Sequence, residues 1–271
     1  MTEPAVLSDI SGGIMTITLN RPDKGNAWNG AMARGYFGLL EAAARSDEVR
    51  VIIVTGAGKA FCVGGDGEKL ADVAETGDIK SAADQPYWFP LSIGKPIIAA
   101  INGACFGIGL QQVLVSDIRF ASEEAKFSTA YARRGLVAEM GMSWLLPRLV
   151  GTGHATDLLL SARLVRAAEA ESMGMVNRVV LAADLLSEAR AYAEMLVKNC
   201  SPFSMRAMKQ QMFEDLTKRF LDSFEHSKAM LDQAFLAPDF KEGMASWQEG
   251  RAPAFPPLPD ALALIDLTEN D

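Results

Sequence analysis

Two short apolar runs constrain the fold more than any other feature of the chain. The run "VRVIIVTG" occupies residues 49–56, and "KPIIAAIN" occupies residues 95–102. A continuous apolar run of this length, bounded by turn residues, is typical of a strand buried on both faces. Such strands occur in parallel sheets that helices cover. The sequence therefore predicts an α/β fold.

The segments around these runs predict alternating strands and helices. Residues 5–10 and 14–19 are apolar and rich in β-branched residues, which predicts a hairpin. Asn29 is suited to cap the helix that follows it. The further predicted elements are, in chain order, a helix at 107–117, strands at 118–122 and 125–129, helices near 142–150, 153–161 and 167–173, and a strand at 175–180.

From about residue 183 the pattern changes to long helices. We expect an α/β core at 1–195, a helical oligomerisation segment at 196–258 and a tail at 259–271. Within 202–236, apolar residues recur mostly at three- to four-residue spacing, as in a helix of an oligomer interface or of a core. These residues are Met205, Met208, Met212, Phe213, Leu216, Phe220, Phe224 and Leu231.

Composition and charge argue against several classes of protein. The 271 residues carry a formal net charge of −8, whereas a nucleic-acid-binding protein needs a basic face. The three cysteines are scattered, so we expect neither a disulfide framework nor a metal site. We find no signal peptide and no apolar run of the ~18 residues that a membrane span needs. We therefore expect a cytoplasmic protein that binds neither membranes nor nucleic acid.

Two glycine-rich segments follow the buried runs. "FCVGGDG" occupies residues 61–67, and "NGACFGIGLQ" occupies residues 102–111. Glycine allows sharp turns and close approach of a ligand to the backbone. Amide groups from two such loops suit an oxyanion or enolate, although tight strand-to-helix turns would carry the same glycines. The chain has no GxxxxGK[ST], GxGxxG or GxSxG motif, which disfavours phosphate, dinucleotide and serine-hydrolase sites.

The chain resembles the enoyl-CoA hydratase/isomerase (crotonase) family over nearly its whole length. Five segments carry the resemblance, in the order and spacing of the family. They are "LNRPDKGNAWN" (19–29), "KAFCVGGD" (59–66), "KPIIAAINGACFGIGLQQVLVSDIRFAS" (95–122), "AKFSTAYARRGLVAEMGMSWLLPRLVG" (125–151) and "DFKEGMASWQEGRAPAF" (239–255).

The resemblance implies a crotonase-like spiral of repeated ββα units with a C-terminal helical trimerisation segment. It implies a homotrimer or a dimer of trimers, and an acyl-CoA thioester as substrate. No cofactor is implied beyond the coenzyme A of the substrate, and no metal. The oxyanion donors would be the amides of Gly65 and Ile108. The other implied substrate-binding residues are Lys24, Gly25, Ala27, Val63, Asp66, Gly109, Gln111 and Tyr131.

The departures from the family pattern bear on the reaction. Hydratases of the family carry two glutamates that activate water, and those positions hold Gln111 and Tyr131 here. Neither side chain is a suitable base near neutral pH. A third family position, occupied by the single carboxylate of certain isomerases, holds Glu139 between Ala138 and Met140. Apolar neighbours would raise the pKa of this carboxyl group.

We therefore expect double-bond isomerisation, with Glu139 as the proton carrier. Hydration and hydrolysis of a CoA thioester remain alternatives, as does a non-catalytic acyl-CoA binder. Three adjacent aromatic residues, Tyr87, Trp88 and Phe89, could either wall the acyl pocket or pack in the core. Near the C-terminus, Trp247 keeps a family aromatic, and Arg251 could replace lost lysines in a contact with the coenzyme A of a neighbouring subunit.

Overall fold

The structure is a computed structural model, and it describes residues 3–77, 84–258 and 261. The strands are β1 (Val6–Ser11), β2 (Ile14–Leu19), β3 (Val51–Gly56), β4 (Ala60–Cys62), β5 (Ile97–Ile101), β6 (Ala104–Phe106), β7 (Ile118–Ser122), β8 (Lys126–Ser128), β9 (Val165–Arg166) and β10 (Arg178–Val180). The helices are α1 (Gly30–Arg45), α2 (Gly67–Thr76), α3 (Ile108–Leu114), α4 (Met142–Ser161), α5 (Ala167–Ser172), α6 (Leu185–Asn199), α7 (Pro202–Glu214), α8 (Phe220–Leu236) and α9 (Pro238–Glu249).

The strands form two sheets that the chain visits in turn. One sheet has the order β1-β2-β3-β5-β7-β10, and the other has the order β4-β6-β8-β9. Each of the pairs β3–β4, β5–β6 and β7–β8 places its first strand in the larger sheet and its second strand in the smaller one. After the first two pairs a helix follows, α2 and then α3. This repetition is the ββα spiral that the family resemblance implies, in the α/β fold that the apolar runs predict.

The predicted hairpin and helix cap at the N-terminus are confirmed. β1 pairs antiparallel with β2, and the connecting Gly12 and Gly13 have φ values of 60° and 78°, which glycine adopts without strain. The Asn29 side chain accepts a hydrogen bond of 2.9 Å from the Met32 amide, which is the N-cap interaction expected for α1.

The two apolar runs form β3 and β5, which pair in parallel at the centre of the larger sheet. Alternate residues of each strand face different layers. Ile52 and Val54 belong to the main core with α1, whereas Val51 and Ile53 pack with Leu185, Ala189 and Ala193 of α6. Because both faces are covered, the strands need apolar residues at every position.

The structure differs from the predicted elements at several places. The predictions omitted α2 and the three-residue strands β4 and β6. The predicted helical segment 202–236 is interrupted between α7 and α8 by a 3-10 turn at Asp215–Thr217. The predicted helices at 142–150 and 153–161 are both present within α4, separated by a kink at Gly151, whose backbone angles are non-helical. The omitted elements and the interrupted helix leave the fold class unchanged.

The C-terminal third of the chain is helical, as predicted. The proposed boundary at 195/196 falls inside α6, and this division into core and C-terminal segment stays a prediction. The predicted tail lies outside the described residues except for Ala261, which is buried and accepts a hydrogen bond from the Gly94 amide. None of the helices in the described part of the chain has the length and apolar character needed to cross a membrane.

The contact between α3 and β4 generates a stability prediction. A methyl group at Gly109 would lie 2.5 Å from the Cys62 carbonyl oxygen and 2.7 Å from the Cys62 Cβ. Gly109→Ala must therefore push α3 away from β4, and we expect a loss of about 1–3 kcal/mol in the free energy of unfolding, measured with urea.

Gly38→Ala is the control, because this exposed α1 position has no atom within 4 Å of the added methyl. It should gain about 0.5–1 kcal/mol. Equal stability of the two variants would contradict the described packing.

Candidate active site

A cavity of about 300 Å³ lies where the two glycine loops meet α1, α2 and the segment before α4. Its lining is formed by Trp28, Asn29, Gly30, Ala33, Gly65, Asp66, Lys69, Leu70, Val73, Tyr87, Gly107, Ile108, Ala130, Tyr131, Arg134, Leu136, Glu139 and Met140. Five of the predicted site residues are in this set: Gly65, Asp66, Ile108, Tyr131 and Glu139. The fold therefore brings together residues that are up to 74 positions apart in the sequence.

The Gly65 amide is held by an isolated parallel bridge to Trp28. The Trp28 amide donates to the Gly64 carbonyl at 2.8 Å, and the Asp66 amide donates to the Trp28 carbonyl at 2.9 Å. In a parallel ladder the two neighbours of a bridged residue make these bonds, so the residue's own N–H points away from the partner strand. The Gly65 N–H is thereby fixed and left available to a ligand.

The Ile108 amide is available for a different reason. Ile108 is the first residue of α3, and the first amides of a helix have no carbonyl acceptor within the helix. The preceding Gly107 has φ of 50° and ψ of −119°, a conformation that favours glycine and turns the chain abruptly from β6 into α3. Both predicted oxyanion donors therefore border one cavity.

Glu139 lies in a tight turn directly before α4. The Met142 amide donates to the Glu139 carbonyl at 3.0 Å, and the intervening Met140 and Gly141 both have left-handed φ values, 52° and 78°. The carboxyl group is half-buried at the cavity wall, and this burial raises its pKa above the ordinary value of a glutamate. The arrangement supplies one carboxylate with increased basicity.

Tyr131 and Gln111 differ in their relation to the cavity. The Tyr131 hydroxyl is buried at the cavity wall, and it has no hydrogen-bond partner among the described residues. Burial, and next the charge of Glu139, raise the Tyr131 pKa, so the hydroxyl stays protonated at neutral pH. Gln111 is fully buried behind the wall, where its amide donates to the carbonyls of Met140 at 3.1 Å and Tyr87 at 3.4 Å. Gln111 thus supports the turn that carries Glu139.

The predicted coenzyme A contacts cluster beside the first glycine loop. The Val63 amide donates to the Gly25 carbonyl at 3.1 Å, and a methyl group at Gly25 would lie 2.9 Å from the Val63 side chain. The Ala27 carbonyl accepts from the Arg21 guanidinium at 2.6 Å. These residues lie outside the cavity lining, beside the first glycine loop, whereas Gly109 packs against Cys62 in the interior.

Two charged residues of the predicted contact set have protein partners. Lys24 pairs with Glu68 at 3.0 Å on the surface. Asp66 caps α2 and pairs with Arg21 at 2.8 Å, and the hydrogen bond from Arg21 holds the Asp66 pKa below its usual value. The Asp66 carboxylate is therefore neutralised and positions the first loop.

Sequence reasoning missed several lining residues. Leu70 and Val73 lie on the omitted helix α2, which its capping residue Asp66 and the closing Gly77 could have revealed. The rings of Trp28 and Tyr87 stand 6.2 Å apart on one wall. Of the three aromatic residues left open above, Tyr87 lines the cavity, Phe89 is buried in the core and Trp88 is partly exposed. Residues 78–83 before them lie outside the described residues.

Trp247 and Arg251 do not line this cavity, and their predicted contact with the coenzyme A of a neighbouring subunit stays a prediction. Trp247 is exposed on α9, and Arg251 forms ion pairs with Glu242 and Glu249. The charge of Arg251 is thus already paired within the chain.

Comparison with known proteins identifies the family. A sequence profile described as enoyl-CoA hydratase/isomerase matches residues 9–257. A probable enoyl-CoA hydratase from Mycobacterium leprae is 33% identical over 256 residues, covering 94% of this chain and 99% of the relative. The chain belongs to the enoyl-CoA hydratase/isomerase family. Acyl-CoA substrates fit this family, and the crotonase fold expected from the sequence is confirmed.

Other relatives carry different names. A 1,2-epoxyphenylacetyl-CoA isomerase from Escherichia coli is 30% identical over 256 residues, covering 92% of this chain and 97% of the relative. The crystal structure of a probable enoyl-CoA hydratase/isomerase from Mycobacterium abscessus superposes with a TM-score of 0.86 at 27% identity, over 93% of this chain and 99% of that chain. Both hydratase and isomerase names thus occur among similar proteins.

The unpartnered Tyr131 hydroxyl generates a prediction. A buried hydroxyl group without a partner costs free energy in the unliganded protein. Tyr131→Phe removes that cost, so we expect a free energy of unfolding equal to the parent's or up to about 1 kcal/mol higher, measured with urea in the absence of ligand. A loss of more than about 1 kcal/mol would mean that the hydroxyl makes a structural hydrogen bond.

Proposed function

We propose that this protein is an enoyl-CoA isomerase that moves a proton with a single glutamate, Glu139. One observation carries the proposal: a half-buried carboxyl group with a raised pKa shares a cavity with two available backbone amides, those of Gly65 and Ile108. A base and an oxyanion site are the two elements that proton abstraction next to a thioester carbonyl requires.

In the proposed reaction the thioester oxygen accepts hydrogen bonds from the Gly65 and Ile108 amides. The Glu139 carboxylate removes a proton from C2 of a 3-enoyl thioester. The electron pair of that C–H bond moves toward the carbonyl, and the resulting negative charge is stabilised on the oxygen by the two amides. Glu139 then returns the proton at C4, and the double bond becomes that of a 2-enoyl thioester. No water is consumed.

The neighbours of Glu139 favour isomerisation over hydration. Hydration in this family uses two carboxylates to activate water, and neither is present here. The Gln111 amide donates to the carbonyls of Met140 and Tyr87, and the Tyr131 hydroxyl stays protonated. Most of the similar proteins are named as probable enoyl-CoA hydratases. Hydration is therefore the alternative reaction that an experiment must distinguish from isomerisation.

We also propose a homotrimer, or a dimer of trimers, assembled through the C-terminal helices. Several apolar side chains of α7 and α8 are exposed in the single chain, including Met212, Phe220 and Phe224. A contiguous exposed apolar surface favours association. Light scattering coupled to size exclusion should give three or six chain masses, and a monomer at micromolar concentration would contradict this.

The three free cysteines suit the reducing cytoplasm that we propose as location.

The catalytic assignment is tested with Glu139→Gln. Glutamine keeps the shape of the side chain but cannot accept the proton, so we expect turnover of a 3-enoyl-CoA to fall about 10²–10⁴-fold. Exchange of the C2 protons with deuterated water should fall in parallel, while acyl-CoA affinity is retained. The control is the Glu124→Gln variant, which removes an exposed carboxylate outside the cavity lining and should keep the exchange reaction.

Three results would redirect the proposal. If Glu139→Gln retained turnover while Tyr131→Phe abolished it, the base would be misassigned. A product that has gained the mass of water would favour hydration or hydrolysis. Acyl-CoA binding without any proton exchange in the parent protein would favour a non-catalytic binder.

A further inference from the structure

Arg134 brings an unpaired positive charge to the cavity. Arg134 is solvent-exposed in the unliganded chain; its side chain lines the cavity and makes no hydrogen bond or ion pair with the described residues. Its Nη1 atom lies 3.8 Å from the point that a Cβ on Gly64 would occupy. Because Gly64 is bonded to Gly65, covalent geometry places this nitrogen within roughly 8 Å of the Gly65 amide. The guanidinium is therefore close to the position of the thioester carbonyl.

The adjacent arginine provides a contrast within the same turn. Arg133 donates from Nε to the Ser161 carbonyl at 3.2 Å, at the end of α4. Both arginines belong to one 3-10 turn, Ala132–Arg134, yet only Arg134 lines the cavity. The two arginines carry the same charge and are adjacent in the chain, but their side chains point in different directions.

The cavity has an excess of positive charge although the chain is acidic. Four charged side chains line it: Lys69, Arg134, Asp66 and Glu139. Asp66 is neutralised by Arg21 at 2.8 Å, whereas Lys69, like Arg134, has no ion-pair partner among the described residues. Two cations thus face one carboxylate in a chain whose formal net charge is −8. Water solvates these two exposed cations in the free protein, and an apolar acyl chain that displaced this water would leave them without a partner.

A second, independent observation lies three residues before Arg134. Tyr131 is 4% exposed, and its hydroxyl lacks a partner at the wall of the same cavity. The Arg134 amide donates to the Tyr131 carbonyl at 2.9 Å, which fixes the two residues on one turn. A protonated hydroxyl and a guanidinium are both hydrogen-bond donors, and a carboxylate accepts from both.

We propose that the acyl group of the substrate carries a second carboxylate, bound by the Arg134 guanidinium and the Tyr131 hydroxyl. The proposal rests on the function proposed above and narrows it to monothioesters of short unsaturated dicarboxylic acids. A chain of roughly five to six carbon atoms, with bonds of about 1.5 Å, spans the distance from the oxyanion site to Arg134 and leaves C4 free to accept the proton.

The phosphate groups of coenzyme A are a second source of negative charge, but their position disfavours them. They are separated from the thioester by the whole pantetheine arm, whereas the Arg134 guanidinium lies beside Gly64, which is bonded to the oxyanion donor Gly65. A carboxylate on the acyl chain has no such separation. Binding of free coenzyme A distinguishes the two sources.

The test compares two substrates in three proteins. The substrates are a 3-enoyl-CoA with a methyl terminus and its analogue of equal length with a terminal carboxylate. In the parent protein we expect kcat/KM to be about two- to fivefold higher for the carboxylate-bearing thioester, since an ion pair at an exposed guanidinium contributes up to about 1 kcal/mol. Arg134→Gln should bring this ratio close to one. Arg133→Gln is the matched control and should retain the parental ratio.

Binding measurements keep this proposal separate from the isomerase assignment. Calorimetry with the saturated dicarboxylyl-CoA, the saturated acyl-CoA and free coenzyme A needs no catalysis. We expect Arg134→Gln to weaken the first selectively. Equal weakening of the binding of all three ligands would assign Arg134 to the phosphates of coenzyme A and overturn the proposal. The proposal would also be overturned if Arg134→Gln weakened none of the three, or if the parent protein bound the methyl-terminated acyl-CoA more tightly than the dicarboxylyl-CoA. Loss of proton exchange with intact carboxylate selectivity would overturn the isomerase function alone.

Discussion

The parallel pairing of β4 with β6 is the constraint on which the rest of the site depends. Ala60 and Cys62 align with Ala104 and Cys105, so the two loops that follow these strands emerge side by side. Gly109 then lets α3 approach the Cys62 backbone closely. Together these contacts set the Ile108 amide against the same cavity as the Gly65 amide. A ligand that needs both donors finds them fixed before it binds, so their orientation costs nothing during the reaction.

Stability and function conflict at the cavity wall. Glu139 is half-buried with a raised pKa, Met140 beside it has a left-handed backbone, and the Tyr131 hydroxyl is buried without a partner. Each feature raises the free energy of the unliganded protein. The surrounding structure compensates with ordered polar contacts: Gln111 holds the Met140 carbonyl, and Arg21 neutralises Asp66. Such unfavourable features are expected to cluster at a binding site, because the ligand supplies the hydrogen-bond partners that the protein alone lacks.

Much of this architecture could be predicted from local sequence, but the wall opposite the glycine loops could not. The runs that form β3 and β5 reveal their burial because every position is apolar, and Asn29 reveals its helix by its capping chemistry. β4 and β6 are three residues long, too short for a periodic signal. Arg134 and Arg133 are indistinguishable in sequence, and only the 3-10 turn separates their orientations. Tyr131 and Glu139 come together because the turn before α4 folds back, which no spacing rule states.

The central claim is that the Gly65 and Ile108 amides polarise a thioester carbonyl, and the infrared spectrum of a bound substrate analogue tests it most directly. A saturated acyl-CoA labelled with carbon-13 at the carbonyl gives an isotope-edited C=O stretch. If both amides donate to the oxygen, binding must move this stretch to lower frequency than in water, because stronger hydrogen bonds weaken the C=O bond. A bound carbonyl whose stretch stays at or above its frequency in water would contradict the account.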